Sequence, residues 1–548
     1  MCGFVVTSDI ISIEPMIEAQ KMRGPDDTGI WKDSRIAMGH VLLDINGEHQ
    51  VQPFVTKKGN IMVFNGEMYD SNIANDTAFL AHGFETYGHK FVEFSDFHGS
   101  FVFYKPKEGI LYYCRDHFGT KPLWYGEDEN GNWTLSTSLK SFIHKRVDQS
   151  GYPRFLRNPQ WPQKETPYKN IWKTAPGQIS KMNLNTGSIK SWNLWDYYKI
   201  KSEKYDLNEF RDRLIASVRK IAKSKQKTAL FLSGGLDSTC ALGIIKDMDI
   251  DLNVYICDYE ESKGKHYYMR GFKKESDMAV KTCKEWGVPY KKVLLKRKDG
   301  KVFGQQWQDN THYSWTDWRR QAPRYLLNKT AAADGCKVVI TGDSADELFS
   351  GYNHHAKRFT KGYDDETLQR AQEQLEGIPP HIWSDTDHFN NGLLFDLIMT
   401  SEQNILATDQ TAGMFGMESR PVYLGQNFVR WHFHKDGRMK MKQKAGWPTG
   451  TYKYFLREVM ADFIPEHVRS RKNKLGWSSP WDNNHRQETF KDRTEALLRH
   501  IYYEQIYAAG VHIGQTANKS VVDKMTTWHF VNGALDGKWI KFDENSKK

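Results

Sequence analysis

The sequence predicts a two-part protein: an α+β first half over residues 1–200, then an α/β second half over 207–548 built on a parallel sheet. Three observations predict it. Short apolar runs separated by Gly, Asn and Pro turns fill the first half. From about residue 207 helical periods alternate with single apolar strands, the pattern of a parallel sheet with crossover helices. Beyond about 395 the pattern is mostly helical, giving the second half a helical C-terminal part.

In order, 61–64 (IMVF), 101–104 (FVFY) and 110–113 (ILYY) read as strands of the first half. The polar stretch 196–206 (DYYKIKSEKYD) reads as a linker. Residues 207–221 space their apolar side chains as a helix does. Residues 229–232 (ALFL) then read as a buried strand and 240–245 as the helix after it. Further strands are expected at 254–256 and 338–340. No repeat or low-complexity segment is evident.

Composition narrows the class. Hydrophobic residues make up 39% and aromatic residues 13% of the 548, enough to build cores and to argue against disorder as the main state. No apolar run reaches the length of a membrane-spanning helix, and the first residues lack a basic segment followed by a long apolar one. The chain therefore reads as soluble and cytoplasmic, without a membrane partner. The net charge of +10 is interleaved along the chain, which suits acidic small molecules and gives no sign of a nucleic-acid partner. The 6 cysteines form no C-x-x-C pair and read as reduced, mostly buried side chains, with Cys2 the exception.

Cys2 follows the initiator methionine, so removal of Met1 exposes a cysteine bearing a free α-amine. An α-amino group of pKa about 7.7–8.0 accepts a thiol proton near neutrality, which makes nucleophile and base one residue. Arg23-Gly24-Pro25-Asp26, Asn65-Gly66-Glu67-Met68-Tyr69 and Arg115-Asp116 through Pro122-Leu123 follow in order. Together with Met-Cys-Gly these resemble the RGPD, NGEIYN and RDxxGxxPL signatures of class II glutamine amidotransferase domains, which have the αββα sandwich of N-terminal nucleophile hydrolases. The resemblance implies Cys2 as nucleophile and Asn65 and Gly66 as the oxyanion hole, by side-chain amide and backbone N–H. It also implies Asn65, Glu67 and Asp76 as the glutamine-binding set. Asp76 on its own reads as a helix-start cap. One departure stands out: the family carries Arg in a H-x-R-L-x-I segment, and here the position is Leu42. An aliphatic side chain cannot clamp a carboxylate. Either another basic residue fills in, or glutamine binding is weakened.

Residues Leu232-Ser233-Gly234-Gly235-Leu236-Asp237-Ser238 follow an apolar strand and precede a helix. Adjacent glycines let the backbone approach a ligand, and the helix start offers unpaired N–H groups to an anion. The segment resembles the SGGxDS pyrophosphate loop of ATP pyrophosphatases. A second strand runs into Gly342-Asp343-Ser344-Ala345-Asp346-Glu347, which resembles the GEGSDE segment of asparagine synthetases. The resemblance implies ATP binding by Leu232, Ser233, Gly234, Gly235, Asp237, Ser238 and Gly342. It implies Mg²⁺ on Asp237 and Asp346, whose hard oxygens suit that ion, and catalytic parts for Glu347 and for Lys474 of Arg471-Lys472-Asn473-Lys474-Leu475-Gly476. Residues 414–422 and 452–458 resemble further segments of the same family; Glu275 has an uncertain part.

Residues 305–325 depart most from the family pattern. Trp307, Trp315, Trp318, Arg319 and Arg320 allow base stacking, but the spacing of Trp315 and Trp318 favours a helix face in the core. His354-His355 and His432/His434 have no carboxylate or Cys at ligand spacing and read as structural.

The whole chain resembles glutamine-hydrolysing asparagine synthetases. The resemblance implies ATP-dependent amidation of aspartate through β-aspartyl-AMP, with ammonia from glutamine, and AMP and pyrophosphate as further products. ATP, Mg²⁺, glutamine and aspartate are the expected small molecules, and a homodimer is allowed. Alternatives are an acyl-adenylating amidotransferase or cyclase for another carboxylate, or an ammonia-dependent synthetase whose glutaminase Leu42 impairs.

Overall fold

The computed structural model describes residues 2–471 apart from 46–48, 71–74, 146–163, 167, 261–266, 313–317, 353, 356–379 and 442–451. Two six-stranded sheets form the first half. In spatial order one contains Ile171–Lys173, Trp124–Glu127, Trp133–Ser136, Gly3–Thr7, Ala37–Leu42 and Asp27–Lys32. The other contains Ile189–Asn193, Gln178–Asn183, Ile110–Arg115, Phe97–Lys105, Ile61–Met68 and Phe54–Val55.

The alternation of side chains along each strand decides the layers. Phe4, Val6 and Met38 of the first sheet meet Ile61, Val63, Val102 and Leu111 of the second. Val5 and Val41 point the other way, onto Met16 and Ile17 of the helix Ile13–Glu18. On the far side Met62, Phe64, Phe101 and Phe103 receive Leu80 and Phe84 of the helix Asp76–Tyr87. The result is the expected αββα sandwich.

The second half opens on the helix Leu207–Ala222, where Asp206 accepts from the N–H groups of Asn208 and Glu209. Its buried residues Phe210, Leu214, Val218 and Ile221 lie along one helical stripe. Five parallel strands follow, in the spatial order Tyr290–Leu295, Leu252–Tyr259, Thr228–Phe231, Val338–Thr341 and Glu418–Pro421. The chain order reverses between Thr228–Phe231 and Val338–Thr341, and a crevice opens beyond the carboxyl ends of strands at such a switch point. Residues 232–238 and 342–347 lie there. The helix Glu402–Gly413 packs between the halves.

The stretch 196–206 is no solvated linker: Tyr198, Ile200 and Tyr205 are buried, beside a buried Trp195. Aromatic rings interleaved with lysines gave it a polar look while its rings supply core. Trp307 is fully buried and its indole N–H donates to Thr411 Oγ1 at 2.7 Å, so it is a core side chain and not a base-stacking surface. Trp315 and the side chains of Trp318, Arg319 and Arg320 lie outside the described residues. Among the described residues no helix is long and apolar enough to cross a membrane.

Candidate functional site

Cys2 opens the strand Gly3–Thr7 at the edge of the sandwich. Its Sγ takes a long contact of 3.5 Å from the Leu43 N–H. Burial pushes the thiol up from its ordinary value, and the charges of Glu418 and Glu67 act in the same direction against the pull of the chain N-terminus. The Arg23 Nε–H donates to the Cys2 carbonyl at 3.2 Å. Gln52 holds the backbone of Phe64 by both its amide atoms, at 2.7 and 3.2 Å, and His40 reaches the same carbonyl from the Cys2 sheet. The strand carrying Asn65 is thereby tied to the sheet carrying Cys2.

Asn65 is fully buried, and neither atom of its amide has a hydrogen-bond partner among the described residues. Buried amides are normally satisfied, so an orphaned one marks a place where a ligand atom belongs. Gly66 is required by space: a Cβ there would sit 2.2 Å from the His98 carbonyl oxygen. Asp76 starts its helix, with Asn75 as the N-cap, and accepts from the Met68 N–H at 3.0 Å. Burial raises the Asp76 carboxyl, and a hydrogen bond to Glu67 opposes that. Asn65, Glu67 and Asp76 thus share one wall.

Arg420, from the strand Glu418–Pro421 of the other half, pairs with Glu67 at 3.0 Å and with Glu418 at 2.8 Å. It is fully buried, and its Nη1 also donates to the Lys223 carbonyl at 2.7 Å. Burial by itself raises Glu418, but Lys121 and Arg420 hold it at about 2. Leu42 is buried and aliphatic. Two described guanidinium groups touch residues of this site, Arg23 at the Cys2 carbonyl and Arg420 at Glu67, and both are engaged by acids.

The interface around this wall is polar and buried. Glu402 receives Arg115 at 2.7 Å and Lys173 at 2.6 Å, and Asp409 receives Arg23 at 3.0 Å. Arg115 also donates to the carbonyls of Lys121, Thr174 and Gly119, which fixes the RDxxG loop.

The second crevice is built on the loop after Thr228–Phe231. Gly234 has φ +76°, and a Cβ there would strike the Glu275 carbonyl at 2.2 Å. The Ser233 and Ser238 hydroxyls lie 3.0 Å apart, and Ser238 Oγ also accepts from the Ser233 N–H. Leu232 donates its N–H to Tyr255, extending the strand into the loop. Asp237 lies in the first turn of the following helix, and Gly342 packs so closely that a Cβ would lie 3.2 Å from the Asp237 Cβ.

Asp237 and Asp346 are joined by the buried ammonium of Lys453, which binds both. The donor set fits magnesium, since two carboxylates are drawn to one cationic point. Gly351 leaves room for it: a Cβ there would lie 1.8 Å from Asp346 Oδ1. Ser344, Ser350 and Lys453 all adopt left-handed φ (72°, 60° and 54°), a concentration of strained non-glycine backbone around one acid pair.

Glu347 is buried and accepts from the Tyr352 hydroxyl at 2.8 Å. Burial first, then the Asp346 charge, pushes its carboxyl up to about 8. The folded protein therefore keeps a proton that the unfolded chain releases above its ordinary value of 4.5. Stability contributed by this group falls as pH rises from there through about 8. The melting-temperature advantage of Glu347→Gln over the parent is expected to widen from pH about 5 to about 8. An advantage constant across that range contradicts the assignment.

Among the residues expected from sequence, Cys2, Asn65, Glu67 and Asp76 gather at one site, and Ser233, Asp237, Ser238, Asp346 and Glu347 at the other. Lys474 lies outside the described residues. Arg420 and Lys453 were not singled out, although both stand in quoted segments; only the fold shows their acid partners. Glu275 pairs with Arg471 at 3.2 Å.

Comparison with known proteins follows the same division. The profile described as "Asparagine synthase" matches residues 209–541, and that described as "Glutamine amidotransferase domain" matches 1–195. The Bacillus subtilis "Asparagine synthetase [glutamine-hydrolyzing] 3" is 26% identical over 89% of this chain and 86% of its own length. The Escherichia coli "Asparagine synthetase B [glutamine-hydrolyzing]" is 25% identical over 82% of this chain and 76% of its own. "Amidase chry2" of Gibberella zeae is 26% identical over 62% of this chain, and the match spans only 55% of that protein.

Proposed function

The chain belongs to the asparagine synthase family, and from that premise we propose that it amidates aspartate to asparagine at the expense of ATP, with glutamine as nitrogen donor. The division of labour is between residues 1–200 and 207–548. The observation that carries the reading is the Arg420–Glu67 pair, by which a strand of the ATP-type sheet reaches into the wall beside Cys2. A chain that only hydrolysed glutamine would have no need of that join.

In the first half, the α-amine of Cys2 takes the thiol proton once Met1 is removed, and the sulfur attacks the glutamine amide. The Asn65 amide and the Gly66 N–H stabilise the tetrahedral oxyanion, and Asp76 with Glu67 holds the glutamine amine. Ammonia leaves with the proton held by the α-amine, and water then hydrolyses the γ-glutamyl thioester to glutamate and free Cys2. The ammonia passes toward the second half across the buried interface. There Leu232, Ser233, Gly234, Gly235, Ser238 and Gly342 line the phosphates of ATP. The β-carboxylate of aspartate attacks the α-phosphorus, giving β-aspartyl-AMP and pyrophosphate. Asp237 and Asp346 would hold Mg²⁺, which neutralises phosphate charge when bound. Lys453 is placed to follow the same charge, and Lys474 is assigned the acyl-adenylate. Glu347 holds a proton near the reacting carbonyl, and ammonia then displaces AMP.

A second reading, with free ammonium as the donor, is favoured by Leu42 in place of an arginine. Mass spectrometry of a reaction with amide-labelled glutamine, aspartate, ATP and Mg²⁺ separates the two. Labelled asparagine together with AMP is expected. Asparagine formed only from free ammonium supports the second reading, and none from either donor refutes aspartate as acceptor.

A further inference from the structure

The pair His354-His355 gains in the fold what its sequence surroundings lack. Asp396, the last residue of the helix His388–Asp396, brings one carboxylate oxygen to both rings, 2.7 Å from His354 Nε2 and 2.8 Å from His355 Nε2. The expectation that no carboxylate partners these histidines is thus corrected. The two rings are edge to face with centroids 4.4 Å apart, and the ligating atoms of all three residues lie within 4.8 Å of one another.

We propose that His354, His355 and Asp396 form a binding site for a zinc-class divalent cation, with His354 as the ligand on the solvent side. Two imidazoles and one carboxylate, with a further position left to water, are the donor set of three-ligand zinc sites. Imidazole nitrogen also separates this site from the all-oxygen pair Asp237 and Asp346, because it favours the later transition ions over magnesium.

Burial and charge prepare the three groups. His355 is fully buried and Asp396 nearly so, whereas His354 is 46% exposed at its side chain and gives a cation its approach. Burial keeps His355 below its ordinary value and therefore neutral, as a ligand must be. Burial alone raises Asp396, but the two imidazoles hold it well below the usual carboxylate range, so it supplies the negative charge. The other acids felt here are Glu347, which holds its proton, and Asp346, which is paired with Lys453, so Asp396 is the carboxylate that supplies charge to the three-residue cluster.

Binding rearranges the ring protons. Both rings now face Asp396 Oδ2 through Nε2. The cation takes Nε2, and the ring proton resides on Nδ1. For His355 this gives up a long 3.4 Å contact in which the Tyr352 N–H faces Nδ1. Tyr352 also donates to Glu347 and stacks on His354 at 5.2 Å, so the cation would sit directly behind the Tyr352–Glu347 contact.

The test is chelator competition with Zn²⁺ on the metal-stripped full chain, run in excess Mg²⁺ so that the oxygen pair is engaged. The parent is expected to bind one more equivalent than His354→Ala, or to bind it about tenfold or more tightly. His354 is half in solvent, so its removal leaves the fold intact. Cobalt in place of zinc is expected to give the intense ligand-field bands of a low-coordinate nitrogen–oxygen site, lost in His354→Ala. Equal zinc binding by both proteins, or a cobalt spectrum of the hydrated ion alone, overturns the proposal. Neither readout depends on amidation activity, so its failure is distinct from failure of the proposed function.

Discussion

Cys2→Ala is expected to abolish glutamine-supported asparagine formation while leaving ammonium-supported formation at the parent rate. The nucleophile is lost, but nothing in the crevice of Asp237, Asp346 and Lys453 touches Cys2. Asn65→Ala is expected to give a graded version of the same phenotype. Losing one oxyanion donor lowers the glutaminase rate by about 10²–10³. It should do so with little change in folding stability, because the Asn65 amide makes no hydrogen bond to lose. Parallel assays with the two nitrogen donors check both. Glutamine-supported turnover surviving in Cys2→Ala would remove the basis for assigning the first half a catalytic part.

The second large effect concerns how the halves are held together. Glu402 is the shared partner of Arg115 and Lys173, with side-chain exposures of 2%, 0% and 9%. Truncating one member of a buried ionic cluster leaves charge without compensation and typically costs about 3–5 kcal/mol. Glu402→Ala is expected to lose that much in urea unfolding. Arg115 keeps its three carbonyl acceptors, so the uncompensated charge falls mainly on Lys173, which burial already lowers below its ordinary value. A loss below about 1 kcal/mol, the scale of an exposed pair, would show that water reaches the interface.

Sequence made the local parts of these sites legible. The loop Ser233 to Ser238 and the Asn65-Gly66 pair within its strand are contiguous, and their chemistry follows from residue type and order. What joins the parts was not legible. The helix Glu402–Gly413 (EQNILATDQTAG) lies in the stretch expected to be helical, but nothing in its sequence shows that Glu402, Thr408, Asp409, Gln410 and Thr411 are all buried. Glu402 and Asp409 are matched by arginines and lysines hundreds of residues earlier in the chain, Thr408 by Asp343 and Thr411 by Trp307. Asp396 likewise stands 41 residues beyond His355, and no spacing rule links them. The stretch 196–206 failed for the converse reason, its aromatic rings being masked by charged neighbours. Leu42 remained ambiguous because its meaning depends on which guanidinium groups approach, and those come from Arg23 and from the distant Arg420.

Lys453 gives the crevice at the carboxyl ends of the parallel strands a property of its own. Two half-buried carboxylates facing each other would repel, and a site left in that condition would spread apart. The ammonium works as a resident placeholder that keeps the acids converged. Under the proposed function, arrival of a metal–nucleotide complex would then be a swap of counterions and not a first neutralisation. The crevice gains readiness and gives up some grip, because the incoming cation must displace a tethered one whose effective concentration never falls.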